Sequence, residues 1–584
     1  MKYRELADIY QKLESTSKRL EKTSFISELL KKTPIEELPG IMLLLQGRVY
    51  PTWDERKLGV ASRLVLKAIN VASGINTHEI EEKWKELGDL GLAAEEIMGR
   101  KKQNTLFSQD LTLRKVFENL KKLAGLEGEG TVDRKIKLIA ELLTSAKPVE
   151  AKYIARSVLE ELRIGVGEGS IRDAIVWAFL YSVEYDKEEN DINLSEENRI
   201  EYNKYVDALQ TAYDITNDFS QVAVIAKEKG VGGLKDVSLE TGKPIKVMLY
   251  QKAKDMEDAF SIVGKPAALE YKYDGFRLQL HRDKNKILLF TRRLENVTKQ
   301  FPDVVETIKE NIDSENYILD AEIIGIDPKT KKWLAFQNIS QRIKRKYDIH
   351  QMAKDIPVMV NLFDAVQVNG KNIIKKPFSE RRKLLKGITK EVPEKLQLAK
   401  EIITDNIDEA EKFYNEALDK GNEGIMAKSL DKPYKPGSRV GYGVKVKPVM
   451  ETLDLVIVGA DWGEGKRANW LSSFTIACRD SEGNFLEVGK VGTGIKEKDE
   501  EGISFAQLTE MLKPLIISEK GKEVKVKPQI IIEVNYEEIQ KSPTYGSGFA
   551  LRFPRLVRLR EDKPLDETSS LEIVKEFYDK QRGR

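Results

Sequence analysis

Cysteine and histidine are nearly absent from this 584-residue chain: Cys478 stands alone, and His78, His281 and His350 are far apart. A single cysteine excludes an internal disulfide and any multi-cysteine zinc site, and scattered histidines offer no ligand cluster. No apolar run is long enough to cross a bilayer, and the opening MKYRELADIY lacks the apolar block of a secretory signal. The expectation is a soluble, cytoplasmic protein with no membrane partner. Neither sign of charge dominates either. Lys+Arg at 97 against Asp+Glu at 95 leaves a formal net charge of +2, so any grip on nucleic acid must come from local basic patches. Chemistry is left to Lys, Arg, Asp and Glu. A charged fraction of 33% with both signs mixed also suits the surface ion-pair networks of a thermophilic protein.

The length exceeds what one hydrophobic core usually supports, and the residue pattern divides in three. Residues 1–240 read as helical: Leu6, Ile9, Tyr10 and Leu13 share a helix face, and KTPIEELP offers Thr33 as an N-cap with Pro34 at the first helical position. The acidic stretch 184–204 reads as a solvated loop or helix extension. Residues 241–448 turn to an α+β pattern, with strands expected at 267–282, 286–292, 317–326, 357–366, 423–428 and 443–447 and helices at 378–387 and 407–420. From 449 to 584 short strands such as LDLVIVGADWG, SSFTIACRD and QIIIEVNYEEI suit a small β-barrel.

In ALEYKYDGFRLQLHRD, at 267–282, alternation places Leu269, Tyr271 and Tyr273 on one face and Glu270, Lys272 and Asp274 on the other. Asp274-Gly275 is by itself a hairpin signal, and the charged face suits solvent as well as a site. Asp320 and Glu322 share another strand face in LDAEIIG, a pairing able to hold a divalent metal, and Lys445 and Lys447 share a third, suited to polyphosphate.

EYKYDGFR, TRRLENVT, LDAEIIG, NLFD, NEGIMAK, VKVK and LREDK follow one another in an order that resembles the motif series of nucleotidyltransferases of the ligase and capping-enzyme superfamily. With the helical front and the ending EIQKSPTYGSGFALRFPRLVRLREDK, the whole chain resembles archaeal-type ATP-dependent DNA ligases. The resemblance implies an all-α DNA-binding domain, an α+β adenylation domain and a C-terminal OB-fold. It implies ATP and Mg²⁺ as cofactors and nicked duplex DNA as substrate, in replication, repair and recombination. Lys272 becomes the nucleophile that takes AMP onto its side-chain nitrogen. A free lysine titrates near pH 10.4, so attack at neutrality requires roughly three pH units of help, about 4 kcal/mol, from nearby cations such as Arg277, Arg292 and Lys445. By the same resemblance Glu270 falls in the adenosine pocket, Arg277 and Arg292 contact the nucleotide, Phe363 stacks on adenine, Glu322 contacts ribose or organises the metal, and Glu423 is the second metal carboxylate. Arg439, Lys445 and Lys447 hold phosphates, and Arg560, Asp562 and Lys563 orient pyrophosphate. Alternation from Glu423 puts Lys428 on the opposite face, without a role. The family usually has Trp where this chain has Gly443, and Tyr442 is the candidate to fill that space.

The same resemblance implies a hinge near 447–451; RIGVGEGSIRD, with Gly165, Gly167, Gly169, Arg163 and Arg172, reads equally as a phosphate-gripping helix start or a plain helix–helix turn, and the basic run QRIKRKYD at 341–348 as a duplex-facing or a solvated face. KKQNTLFSQDL contains Gln103, Leu106 and Phe107, a shortened sliding-clamp (PCNA) docking motif. The expected state is a nucleoid-associated monomer. An RNA ligase or capping enzyme is the competing enzymatic reading, and a catalytically silent clamp adaptor the non-enzymatic one. An NAD-dependent ligase would need four zinc-binding cysteines, which are lacking.

Overall fold

The computed structural model describes residues 1–581 apart from 55, 101–109, 127, 129, 335–338, 340, 344–346, 438, 449–450, 464–466, 468, 499 and 501, with only the backbone of 439. The clamp-docking candidates Gln103, Leu106 and Phe107 lie outside the described residues, as do 449–450 of the expected hinge. The chain forms two compact units. The first comprises Met1–Leu249, Gly275–Ala399 and Asp431–Val440, and the second Tyr250–Asp274, Lys400–Leu430 and Gly441–Arg584.

The front of the first unit is helical from Tyr3–Ser15 to Phe219–Lys235, around a continuous apolar core containing Leu6, Tyr10, Leu13, Ile26 and Tyr153. The 3.6-residue period places Leu6, Tyr10 and Leu13 inward, as read from the sequence, while Ile9 on the same face is only half-buried. Thr33 has a different task from the one expected. It ends the Arg19–Lys32 helix, its hydroxyl donating to the Leu29 carbonyl at 2.8 Å, and the next helix begins only at Leu38. A Ser or Thr hydroxyl serves either helix end, and the sequence alone did not choose.

The remainder of the first unit is a seven-stranded sheet. Its central path is Lys371–Asn372, Val358–Val368, Asn316–Ile326, Phe276–Asp283 and Lys286–Thr291, all antiparallel neighbours. Helices Pro302–Asn311 and Phe378–Ile388 pack on it.

The second unit holds a five-stranded sheet ordered Glu401–Thr404, Ala267–Lys272, Gly424–Ser429, Arg439–Val446 and Leu249–Lys252. Asp274-Gly275 is therefore not a hairpin turn: Ala267–Lys272 and Phe276–Asp283 belong to different sheets and do not pair with each other. The C-terminal strands run Phe485–Val491, Leu471–Arg479, Leu453–Trp462, Ile531–Asn535 and Arg555–Leu559. A parallel bridge from Thr493 to Arg555 returns the last strand to the first of that row, which fits the expected OB-fold barrel. Among the described residues no helix is long and apolar enough to cross a membrane. Cys478 is buried in the core of these C-terminal strands, and burial pushes its thiol up to about 12, away from the reactive thiolate.

Candidate active site

The lysine strand, Ala267–Lys272, is covered on both faces. Leu269 and Tyr271 point toward the helix Ile407–Asp419, where the Tyr271 ring stacks on Phe413 at 4.8 Å. The other face carries Glu270 and Lys272, as alternation requires. Across it, Gly424 lies opposite Lys272 and Met426 opposite both Glu270 and Lys445. Glu270, Met426 and Lys445 thus form one row over three strands.

Lys428 belongs to this face and corrects the sequence reading. It sits opposite Ala268, diagonal to Glu270, and its Nζ is 2.5 Å from Glu270 Oε2 with both groups buried. Counting from Glu423 failed because Glu423 precedes the strand, which starts at Gly424. Gly424 has φ +136°, and a Cβ there would lie 2.1 Å from the Val446 carbonyl oxygen. Only glycine permits that approach, and the unusual backbone breaks alternation and returns the Glu423 side chain to the lysine.

Lys272 Nζ lies 2.7 Å from Glu423 Oε2, and Lys447 Nζ reaches the same oxygen at 2.5 Å. Burial works to raise the Glu423 carboxyl, but the Lys272 and Lys447 ammonium groups overcome it and hold it well below the usual range. Burial and the charge of Lys447 lower Lys445, against the pull of Glu537. Glu537 is also 3.7 Å from Lys447. A small open pocket of about 50 Å³ beside Glu423 and Lys447 is lined also by Glu537, Glu538 and Arg552.

Gly443 lies opposite Lys428, and a Cβ on it would be 2.5 Å from the Tyr250 ring. The space of the family's usual Trp is therefore taken by Tyr250 on the neighbouring strand, not by Tyr442. Tyr250 is far away in sequence, so no local signal could have named it.

In the first unit, Arg277 stands opposite Glu322 and diagonal to Asp320. Its Nη2 donates to Asp320 Oδ2 at 2.6 Å, and its guanidinium lies over the Phe363 ring at 5.0 Å. Phe363 is the extra residue of a β-bulge, since Leu362 and Asp364 pair with adjacent residues Ala321 and Asp320. The bulge turns Asp364 onto the face of Asp320, while half-exposed Phe363 stays beside Arg277. Asp320 is fully buried against Arg277 and Tyr434, which corrects its reading as half of a metal pair. Glu322 is half-buried, with Arg277 and Asn361 opposite, and Arg292 is exposed. Arg439 opens its strand, and its side chain lies outside the described residues.

Arg560 and Lys563 converge on Asp454, at 2.8 Å each, and Arg560 also holds Asp562 down at about 2. Asp454 was not anticipated from the sequence. In the helical region the helix Glu168–Phe179 begins at Gly167, as expected of the glycine loop, but Arg163 pairs with Asp89 and Glu161, and Arg172 with Asp173. Lys22, not anticipated, donates to the Ile164 and Gly165 carbonyls at 2.7 and 2.9 Å. Arg342 of the basic run is buried against Asp303 and lines no surface; residues 344–346 lie outside the described residues.

Among the described residues no cluster of three or more His, Cys, Asp or Glu side chains could hold a metal ion. The ionised Glu423 carboxylate fits Mg²⁺ bound in the manner usual beside nucleotides, through one or two carboxylates with phosphate and water oxygens.

Three family models match: DNA ligase N terminus at residues 2–176, ATP dependent DNA ligase domain at 247–447, and ATP dependent DNA ligase C terminal region at 467–563. A DNA ligase of Nanoarchaeum equitans is 49% identical over 100% of this chain and 99% of its own. The DNA ligase of Thermococcus onnurineus is 44% identical, covering 99% and 98%. The solved structure Pmar-Lig_PreS3 has the same fold at 16% identity, with a TM-score of 0.54 over 95% of this chain and 99% of that one. The lysine motif, the matched regions and these full-length similarities agree: the chain belongs to the archaeal-type ATP-dependent DNA ligases.

Proposed function

We propose that Lys272 carries AMP in this ligase, and that Glu423 governs when it reacts. Enzymes of this family seal nicks in duplex DNA through a lysyl-AMP intermediate, using ATP and Mg²⁺. The observation that supports the assignment is the half-buried triad Lys272–Glu423–Lys447. An ammonium paired with a carboxylate has no free electron pair. Lys272 must leave Glu423 and lose its proton before attacking the α-phosphorus of ATP; Glu423 keeps Lys447 as counter-charge. Glu270, on the same face, is charge-paired with the buried Lys428. Mg²⁺, when bound, supplies positive charge for the phosphates, with Glu423 and Glu322 as its carboxylates.

Lys445, Lys447 and Arg439 hold phosphate oxygens, where fixed positive charge stabilises the transferring group. Arg277, Arg292, Glu270, Glu322 and Phe363 hold the adenosine. Arg560 and Lys563 serve the pyrophosphate after exchanging Asp454 for it. Closure over ATP and release for DNA joining would pass through a hinge near 447–451. The domains in this reading are 1–240 for DNA binding, 241–448 for adenylation and 449–584 for the OB-fold. The glycine loop at 165–169 grips DNA phosphate, so nick binding weakens with salt. The enzyme works as an intracellular, nucleoid-associated monomer that docks on a sliding clamp through Gln103, Leu106 and Phe107.

The test is incubation with α-labelled ATP followed by a chase with nicked duplex. Label becomes covalently attached to the protein, retained on a denaturing gel, only through Lys272, and it leaves the protein when nicked duplex is sealed. Covalent labelling that survives in Lys272→Ala overturns the assignment.

A further inference from the structure

Tyr434 is a buried tyrosine in the segment 431–440, a part of the chain to which the motif series assigns no function. Its hydroxyl donates to Asp320 Oδ2 at 2.8 Å and accepts from Arg277 Nη2 at 3.0 Å and from the Met248 backbone N–H at 3.2 Å. Burial, joined by the charge of Asp320, pushes the phenol well above its ordinary range, so it stays a donor to the carboxylate. Its own backbone is tied down as well: Tyr434 N–H donates to the Ile374 carbonyl at 2.8 Å.

Asp320 Oδ2 thus receives the phenol and one arm of the Arg277 guanidinium, which lies 2.6 Å away. The other arm, Nη1, donates to the Met248 carbonyl at 3.0 Å. Met248 is therefore held by both Tyr434 and Arg277, and the guanidinium is fixed at both ends while its face covers the Phe363 ring at 5.0 Å. A long arginine side chain gives up about 2 kcal/mol of rotamer freedom when held in one place. Contacts made before ligand arrives remove that cost from the binding step.

We propose that Tyr434 is a positioning residue for ATP: through its hydroxyl it holds Arg277 and Asp320 in the arrangement that presents Arg277 beside Phe363. The proposal rests on the reading of Arg277 and Phe363 as adenosine-holding groups.

Tyr434→Phe keeps the ring and removes the hydroxyl. In the full-length enzyme it raises the ATP concentration for half-maximal self-adenylation roughly ten-fold, the effect of one hydrogen bond to a charged group. The adenylation rate at saturating ATP falls by less than about three-fold, on the same physical ground that binding and not the transition state is affected. Arg277→Ala gives a larger rise, and the double variant gives no more than Arg277→Ala alone. Asp320→Asn, which weakens the other anchor of the same guanidinium, shifts the ATP dependence in the same direction and serves should the phenylalanine variant fold poorly. If Arg277→Ala raises the ATP requirement and neither Tyr434→Phe nor Asp320→Asn does, the positioning role is wrong. An additive double variant is equally fatal to it. If Arg277→Ala itself leaves the requirement unchanged, the adenosine assignment fails first.

Discussion

Asp364 and Arg381 are each about 1% exposed and joined by two hydrogen bonds of 2.8 and 2.9 Å, whereas Glu423, Lys272 and Lys447 retain 18%, 23% and 18% of their side-chain exposure. Both clusters are ion pairs beside β-strands, the first joining strand residue Asp364 to Arg381 of the helix Phe378–Ile388, and burial separates them. The first cannot exchange partners, because Arg381 is also spent on the Lys376 and Lys432 carbonyls at 2.7 and 3.1 Å. Removing either member would leave an uncompensated charge in a dry interior. The second has one carboxylate shared by two lysines near water, so either lysine can leave without stranding the carboxylate. A fixed pair builds the platform, and an exchangeable triad is what the proposed chemistry needs.

The contrast can be broken most completely at Lys272: Lys272→Ala yields no covalent AMP in the labelling assay, with the fold intact by circular dichroism. Next, Asp364→Ala destabilises by about 3–5 kcal/mol, read in denaturant unfolding, since it strands the Arg381 charge. Glu423→Gln reverses the balance. It slows adenylation by about a hundred-fold, close to 2.7 kcal/mol of barrier, yet costs less than about 1 kcal/mol in unfolding. Equal losses of stability for Asp364→Ala and Glu423→Gln would erase the distinction drawn between the two clusters.

Asp214 supplies a smaller, intermediate case. Burial raises its carboxyl to about 6, outweighing the Gln210 amide that donates to it and the nearby Lys246 ammonium. A folded-state value above the unfolded one means that the native state binds the proton more tightly, so stability falls as pH rises from 4 through 6. Thermal unfolding between pH 5 and 7 shows this slope in the unaltered protein, and Asp214→Asn flattens it. The Glu423 carboxyl, held low, has the opposite sign: its contribution is present above the ordinary carboxylate range and is lost only as pH falls below it. An unchanged slope in Asp214→Asn would assign the pH dependence elsewhere.

Much of this was legible in the chain. The helical front, the strands around Lys272, Glu322, Phe363 and Lys445, and the shared face of Glu270 and Lys272 follow from residue periods, which depend only on local backbone geometry. Where periods were interrupted, reading failed. Gly424 and the bulge at Phe363 each shift a side chain to the other face, and a count of alternating residues does not see them. The Asp274-Gly275 signal pointed to a hairpin because two-residue turns are local, while the two strands actually join different sheets.

By itself, then, the sequence determined the types of element, the lysine proposed to carry the chemistry and the order of the motifs around it, since these depend on residue identity and short-range geometry. Tertiary structure decided the partners. Lys428 for Glu270, Tyr250 over Gly443, Asp454 for Arg560 and Tyr434 between Asp320 and Arg277 join residues from about 100 to almost 200 positions apart. Such pairings are set by which strands and loops come together and by how much water remains between them, quantities that no stretch of sequence carries alone.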